Sequence, residues 1–164
     1  MKHSPIDLTA IHFTEVMIAS TPKGIDADVD KVDLEIKPDL YQSPENKRNW
    51  SVTLLVEIKS KEGAEAPYTG EMEAFGFFSV SEKWEADMEK LVFINGCGIV
   101  YAAIREMVTN ITARGFFDPL ILPSCSFAEM YKEREEEKKK QAEAATQAPL
   151  ALASEPPKVA AIEK

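Results

Sequence analysis

The sequence predicts an α+β fold: a four-stranded antiparallel sheet followed by one long helix, a proline-containing crossover loop and a C-terminal helix. Two observations carry this prediction. Apolar residues alternate with polar ones along much of the first 80 residues, then recur at three- and four-residue steps after Val80. The stretches between the early apolar runs, "TPKGIDAD", "SPENKRN" and "KEGAEAP", are rich in turn formers. Such short links join antiparallel neighbours, because parallel strands need a crossover of a dozen or more residues.

The first strand is expected over about 8–19, "LTAIHFTEVMIA", from its β-branched and apolar content. The second is expected over about 29–37, where Val32, Leu34 and Ile36 alternate with Asp33 and Glu35. The third starts at Trp50 and sets Val52, Leu54, Val56 and Ile58 against Thr53, Leu55, Glu57 and Lys59. In the fourth, over 68–80, Met72, Ala74, Gly76 and Phe78 oppose Glu71, Glu73, Phe75 and Phe77. Each pattern describes a strand with one face turned to a core.

Past Val80 the period changes. Ser81 is expected to cap a helical turn reaching Glu89, and a longer helix to run from about 91 to 114 with Gly115 as its stop. Ile94, Cys97, Tyr101, Ile104, Val108 and Ile111 form one face of it. Val92, Phe93, Ile99, Val100 and Met107 widen that face, and Arg105 and Glu106 are the charges within it. One sheet covers one side of such a rod; the surplus calls for a second cover. The last helix opens at Ser126, with Glu129 three residues on as a capping box. Glu135, Glu136 and Glu137 precede Lys138, Lys139 and Lys140 by three residues, a pattern of solvated helix pairs. Residues 148–164 are low in complexity and expected to be a disordered tail, leaving 1–147 as the folded domain.

The formal net charge is -9, and residues 1–90 carry 18 acidic against 10 basic side chains. That balance argues against nucleic acid or an anionic membrane surface as partner. The opening "MKHSPIDLTA" lacks the apolar core of a signal peptide, and no run of 18 uninterrupted apolar residues marks a membrane span. A cytoplasmic setting is expected, with Cys97 and Cys125 as structural thiols. His3 and His12 come with no Cys/His ligand spacing, no glycine-rich phosphate loop and no nucleophile elbow. No catalytic residue, metal or cofactor is therefore assigned.

Two features invite a binding role. Glu15, Glu57, Glu71 and Glu73 fall on strands, so a sheet face carries either ordinary solubilising charge or a docking field. Phe116, Phe117, Leu120, Ile121 and Leu122, interrupted by Pro119 and Pro123, make a rigid apolar connection between helices. From the residues alone this loop either lies on the sheet or walls a groove, with Phe127, Met130 and Tyr131 across from it.

Taken in order, four strands closed by "GFFSV", a long helix holding "REMVTNITARG", then "PLILP", then "SF" opening a last helix resemble the SecB family of protein-export chaperones. The likeness runs over about 8–135 and is most specific from Ile104 to Phe127. It implies a homotetramer, a dimer of dimers, whose long helices pack between outer sheets. It also implies that unfolded precursor proteins bind in apolar grooves and pass to the SecA motor. On these grounds Val32, Leu34 and Ile36 join Phe116, Phe117, Leu120, Leu122, Phe127, Met130 and Tyr131 as client contacts. Glu15 and Glu71 match motor-docking positions. Met72 and Ala74 match assembly positions, and Cys97, Tyr101, Ile104 and Val108 on the rod are expected at the oligomer interface. The chain departs from the family pattern at Thr69 and Ala19, beside the docking positions, and in reading "AAI" before Arg105. Two other readings stand beside export: a SecB-like chaperone dedicated to one client, such as an antitoxin, and a non-catalytic scaffolding oligomer.

Overall fold

A computed structural model describes residues 4–21 and 28–147 of the protein. The strands are β1 (Ile6–Ser20), β2 (Val32–Gln42), β3 (Asn49–Ser60) and β4 (Tyr68–Val80), and the helices are α1 (Met88–Thr112) and α2 (Phe127–Gln147). A single 3-10 turn, Val29–Lys31, leads into β2. The chain forms two compact units, residues 1–127 and residues 128–164. The expected tail, 148–164, lies outside the described residues.

In the first unit the strands form one antiparallel sheet in the order β1-β4-β3-β2. Consecutive hairpins link β2, β3 and β4, as their short turns require. β1 lies beside β4 instead, a Greek-key return. β2 also runs further than its hydrophobic pattern indicates, continuing through Pro38 to Gln42. The ladder explains why. Lys61 N–H donates to the Lys31 carbonyl at 2.9 Å, and Ser43 N–H donates to the Asn49 carbonyl at 2.9 Å. Backbone direction alternates along a strand, so the odd-numbered residues of β2 bond to β3 and the even-numbered ones turn outward. Pro38 is even-numbered and on an edge, so its missing N–H costs no ladder bond.

The even-numbered side chains of β3 and β4 point to the core: Val52, Leu54, Val56, Met72 and Ala74 have no exposed surface. α1 lies on this face. It starts at Met88, three residues ahead of the expected 91, because Asp87 caps it by accepting a hydrogen bond from Lys90 N–H at 3.0 Å, and the helical turn expected from Ser81 to Glu89 does not form ahead of it. Residues 81–87 form turns, held by the Arg48 guanidinium, which donates to the carbonyls of Ser81 and Glu82. At the other end the helix stops at Thr112, with Ala113 as cap, and Gly115 adopts no left-handed conformation.

The rod is buried within its own chain more fully than its composition suggests. Val92, Phe93 and Val100, three residues of the widened face, are buried against the protein's own interior, and Ile99 and Met107 are half-buried. Two glycines make this possible. A Cβ on Gly76 would come within 2.6 Å of Val100 Cγ2, and one on Gly96 within 3.0 Å of Val52 Cγ2. Their absence lets helix and sheet approach closely enough to cover both flanks of the stripe. By length and composition α1 could also cross a bilayer, but half of its most apolar window is packed inside the protein.

The residues expected at an oligomer interface lie deep in the single chain. Met72, Ala74, Cys97, Tyr101, Ile104 and Val108 are all core residues of the single chain, each 4% exposed or less. The large apolar residues of α1 with surface left are Met88, Leu91, Ile94, Ile99, Met107 and Ile111. In the second unit α2 is a charged helix, and Lys138 Nζ lies 2.9 Å from Glu135, one of the expected three-residue pairs. Cys97 and Cys125 form no disulfide among the described residues.

Candidate functional site

The loop between α1 and α2 follows a strand-like alternation. Leu120 and Leu122 are buried while Ile121, between them, is 69% exposed. Phe116 is 87% exposed, and its ring meets that of Phe117 edge-on at 5.3 Å. Pro119 and Pro123 exclude a helix here, so the loop's backbone groups need partners from elsewhere. Side chains supply them. Tyr68 Oη donates to the Phe117 carbonyl at 2.9 Å, Arg105 Nε to the Leu122 carbonyl at 2.9 Å and Tyr101 Oη to the Pro123 carbonyl at 2.8 Å. Leu120 N–H in turn donates to Thr112 Oγ1 at 2.9 Å. Burial pushes the Tyr101 hydroxyl up to about 12, which keeps it a donor across the ordinary pH range.

Facing the loop is the free edge of β2. Val32, Leu34, Leu120, Ile121, Leu122 and Pro123, with Asp30 and Lys61 at the rim, line a depression of about 290 Å³. Val32, Leu34 and Ile36 are half-buried. By the alternation above, their backbone N–H and C=O groups point away from β3. Among the described residues no backbone partner meets them on that side. A dry wall, a half-dry wall and an unpaired row of backbone groups are what an extended apolar peptide can use.

The structure thus brings Val32 and Leu34 together with Leu120 and Leu122, from segments more than 80 residues apart in sequence. Ile36 continues the β2 wall. Phe116 and Phe117 sit at the α1 end of the loop, with Phe117 half-buried edge-on to Tyr68 at 5.8 Å. Phe127 is buried against Tyr101, ring centroids 5.8 Å apart, so it supports the loop from within. Met130 and Tyr131 fall at the start of α2, in the second unit. Sequence reasoning did not assign roles to Arg105, Thr109 and Thr112, the polar residues that hold the loop. Their spacing down one flank of α1 was the available signal.

The opposite, outer face of the sheet has two electrostatic halves. On β2 and β3 the cross-strand register sets Glu35 opposite Glu57 and Lys37 beside them. Lys37 and Lys59 each pair with both carboxylates; Lys37 lies 3.1 Å and Lys59 2.7 Å from Glu35. Hydrogen bonds from Lys37 and Lys59 hold the Glu57 carboxyl down to about 2, and those from Lys59 and Lys37 lower Glu35 too. On β1 and β4 the register sets Glu15 opposite Glu73, with Glu71 two residues along. No ion pair reaches these three among the described residues; the Thr14 hydroxyl donates to Glu73 at 2.5 Å. Thr69 and Ala19 lie beside Glu71 in a shallow hollow of about 250 Å³.

The fold and site together define an α+β chain in which one antiparallel sheet carries a core helix and a pinned apolar loop lies beside an open strand edge. Comparison with known proteins identifies the family. Residues 15–138 match the family profile SecB, preprotein translocase subunit SecB. The protein-export protein SecB of Ehrlichia canis is 32% identical over 132 residues, covering 71% of this chain and 75% of its own. That of Anaplasma marginale (strain Florida) is 30% identical, over 71% and 67%. In fold, the chain resembles a Mycobacterium tuberculosis SecB-like chaperone, solved in complex with a ChAD peptide from an antitoxin. That match has a TM-score of 0.57 at 19% identity and covers 74% of this chain and 88% of the other. The chain belongs to the SecB family, a family of protein-export chaperones.

Proposed function

We propose that the protein is an ATP-independent holdase: it keeps unfolded precursor proteins soluble and delivers them to the Sec translocase. The observation that carries this reading is the depression between β2 and the crossover loop, with its unpaired backbone edge. An extended client lays alternate apolar side chains against Val32, Leu34 and Ile121 and adds its backbone to the free groups of β2. Phe116 and Phe117 extend the apolar contact beyond the depression. Recognition of this kind reads apolar content and extension, not a particular sequence, which suits clients of many kinds. Folded proteins, with paired strands and buried side chains, offer neither.

The proposed assembly is a cytoplasmic homotetramer, a dimer of dimers, in which long clients gain avidity by occupying several grooves at once. Its helix contacts use apolar residues of α1 with surface left, such as Ile94, Ile99 and Met107, beside the stripe packed in the core. On the outer face Glu15, Glu71 and Glu73, which no ion pair reaches among the described residues, supply a negative field for a basic partner, with SecA as the candidate.

Sizing the full-length protein by light scattering, with and without a reduced, carboxymethylated and permanently unfolded protein, tests both parts. A tetramer that takes up the unfolded chain is expected; a monomer that ignores it defeats the proposal. A second reading has a specific basis, since the Mycobacterium tuberculosis relative was solved with an antitoxin peptide. Capture from the native host separates the two: many precursor proteins support export, and one dominant protein supports a dedicated client.

A further inference from the structure

α1 carries a row of polar side chains down the flank that meets the crossover loop, and each finds a backbone atom of that loop. Tyr101 and Arg105 donate to the carbonyls of Pro123 and Leu122, Thr109 lies 3.3 Å from the Leu120 carbonyl, and Thr112 accepts from Leu120 N–H. The bonds run in opposite order along the two segments, like the rungs of an antiparallel ladder. They close over Leu120 and Leu122, whose side chains are thereby held in the core with Ile121 facing out. A loop with two prolines and no secondary structure of its own has no other internal means of keeping this alternation.

We infer that Tyr101 and Arg105 are positioning residues for the client groove: their hydrogen bonds fix the 120–123 wall before any client arrives. This inference rests on the chaperone reading above. Binding to a wall already in place avoids the cost of ordering it, so the bonds act through retention of the client without touching it. Arg105 Nε is the atom that donates, and this defines the experiment. In Arg105→Gln the amide nitrogen occupies the same position along the side chain and can still donate, though the charge is lost. Arg105→Met keeps the length and loses the donor.

The test uses full-length protein and a fluorescent, reduced and carboxymethylated unfolded protein as probe, read by stopped flow. Arg105→Met and Tyr101→Phe are each expected to speed probe dissociation about fivefold with association unchanged. Amide exchange at Leu120 is expected to quicken in parallel, and Arg105→Gln to restore both readouts. Equal loss in the Met and Gln variants overturns the inference, because charge or shape would then be the agent. Wild-type retention in both Arg105→Met and Tyr101→Phe overturns it as well. If Arg105→Met does not fold, Tyr101→Phe, which removes a single oxygen, decides alone. Failure of the wild type to hold the probe defeats the chaperone reading itself, while Leu120 exchange still reports whether the bonds hold the loop.

Discussion

α1 and the crossover loop are made of similar residues and meet opposite fates. Both are apolar segments of the same unit, separated by a few residues. The rod seats its stripe on the sheet so deeply that Val92, Cys97, Val100, Ile104 and Val108 keep no exposed surface. The loop buries Leu120 and Leu122 and leaves Phe116 and Ile121 in water. The difference is geometric. A helix presents one continuous face to a sheet and can be covered along its length. An extended segment sends every second side chain outward, so half of its apolar content stays available however well the other half packs. In this fold the helix supplies stability and the loop supplies an apolar surface.

The comparison can be broken most sharply at Ile104. Ile104→Ala deletes fully buried atoms and is expected to cost about 2–5 kcal/mol in denaturant unfolding. Probe binding by the remaining folded protein is expected to be unchanged. A cost near zero would mean the rod is not the core element described. Phe116→Ser combined with Ile121→Ser is the converse case. Stability is expected to stay within about 0.5 kcal/mol of wild type, since both side chains already face water. Affinity for an unfolded protein is expected to fall about tenfold, equivalent to about 1.4 kcal/mol. Unchanged affinity would remove the loop from the client site.

The outer face sharpens the same contrast between spent and available groups. Glu35 and Glu57 are committed to Lys37 and Lys59, whereas Glu15, Glu71 and Glu73 are not. Glu15→Lys with Glu71→Lys is expected to weaken binding of a basic partner severalfold, and wild-type binding to fade with salt. Binding that ignores both changes would show the acidic half to be solubilising charge. The smallest effect expected is acid sensitivity of the paired half. Glu57 has its carboxyl lowered to about 2, so its pairing favours the fold above the ordinary carboxylate range and is lost as pH falls through about 2. Replacing Lys37 and Lys59 by Met should flatten the acid limb of the melting profile, and by little, because the pairs are solvated.

Much of this architecture was legible in the residues. Val32, Leu34 and Ile36 announce a one-sided strand, and "YTGEMEAFGFFSV" marks β4 at both of its observed ends. Leu120, Ile121 and Leu122 between prolines mark an extended apolar segment. The helical turn expected from Ser81 gives way to a turn closed by Trp84 N–H on the Ser81 carbonyl and held by Arg48, some 35 residues earlier, a contact no local pattern records. The strand expected over 29–37 runs on through Pro38 to Gln42 because β2 lies at the sheet edge, where a proline costs no ladder bond, and strand position is not a local property.

The sequence by itself determined the class of fold, the order of its elements and the presence of an apolar loop, because periodicity and turn chemistry act over a few residues. Tertiary structure alone decided which apolar residues are spent. The depth at which α1 seats depends on Gly76 and Gly96 meeting Val100 and Val52 from another segment. Likewise, the loop becomes a wall only when Tyr101 and Arg105 reach its carbonyls from 17 to 22 residues away. Such pairings are chosen by packing across the whole unit, which no local pattern records.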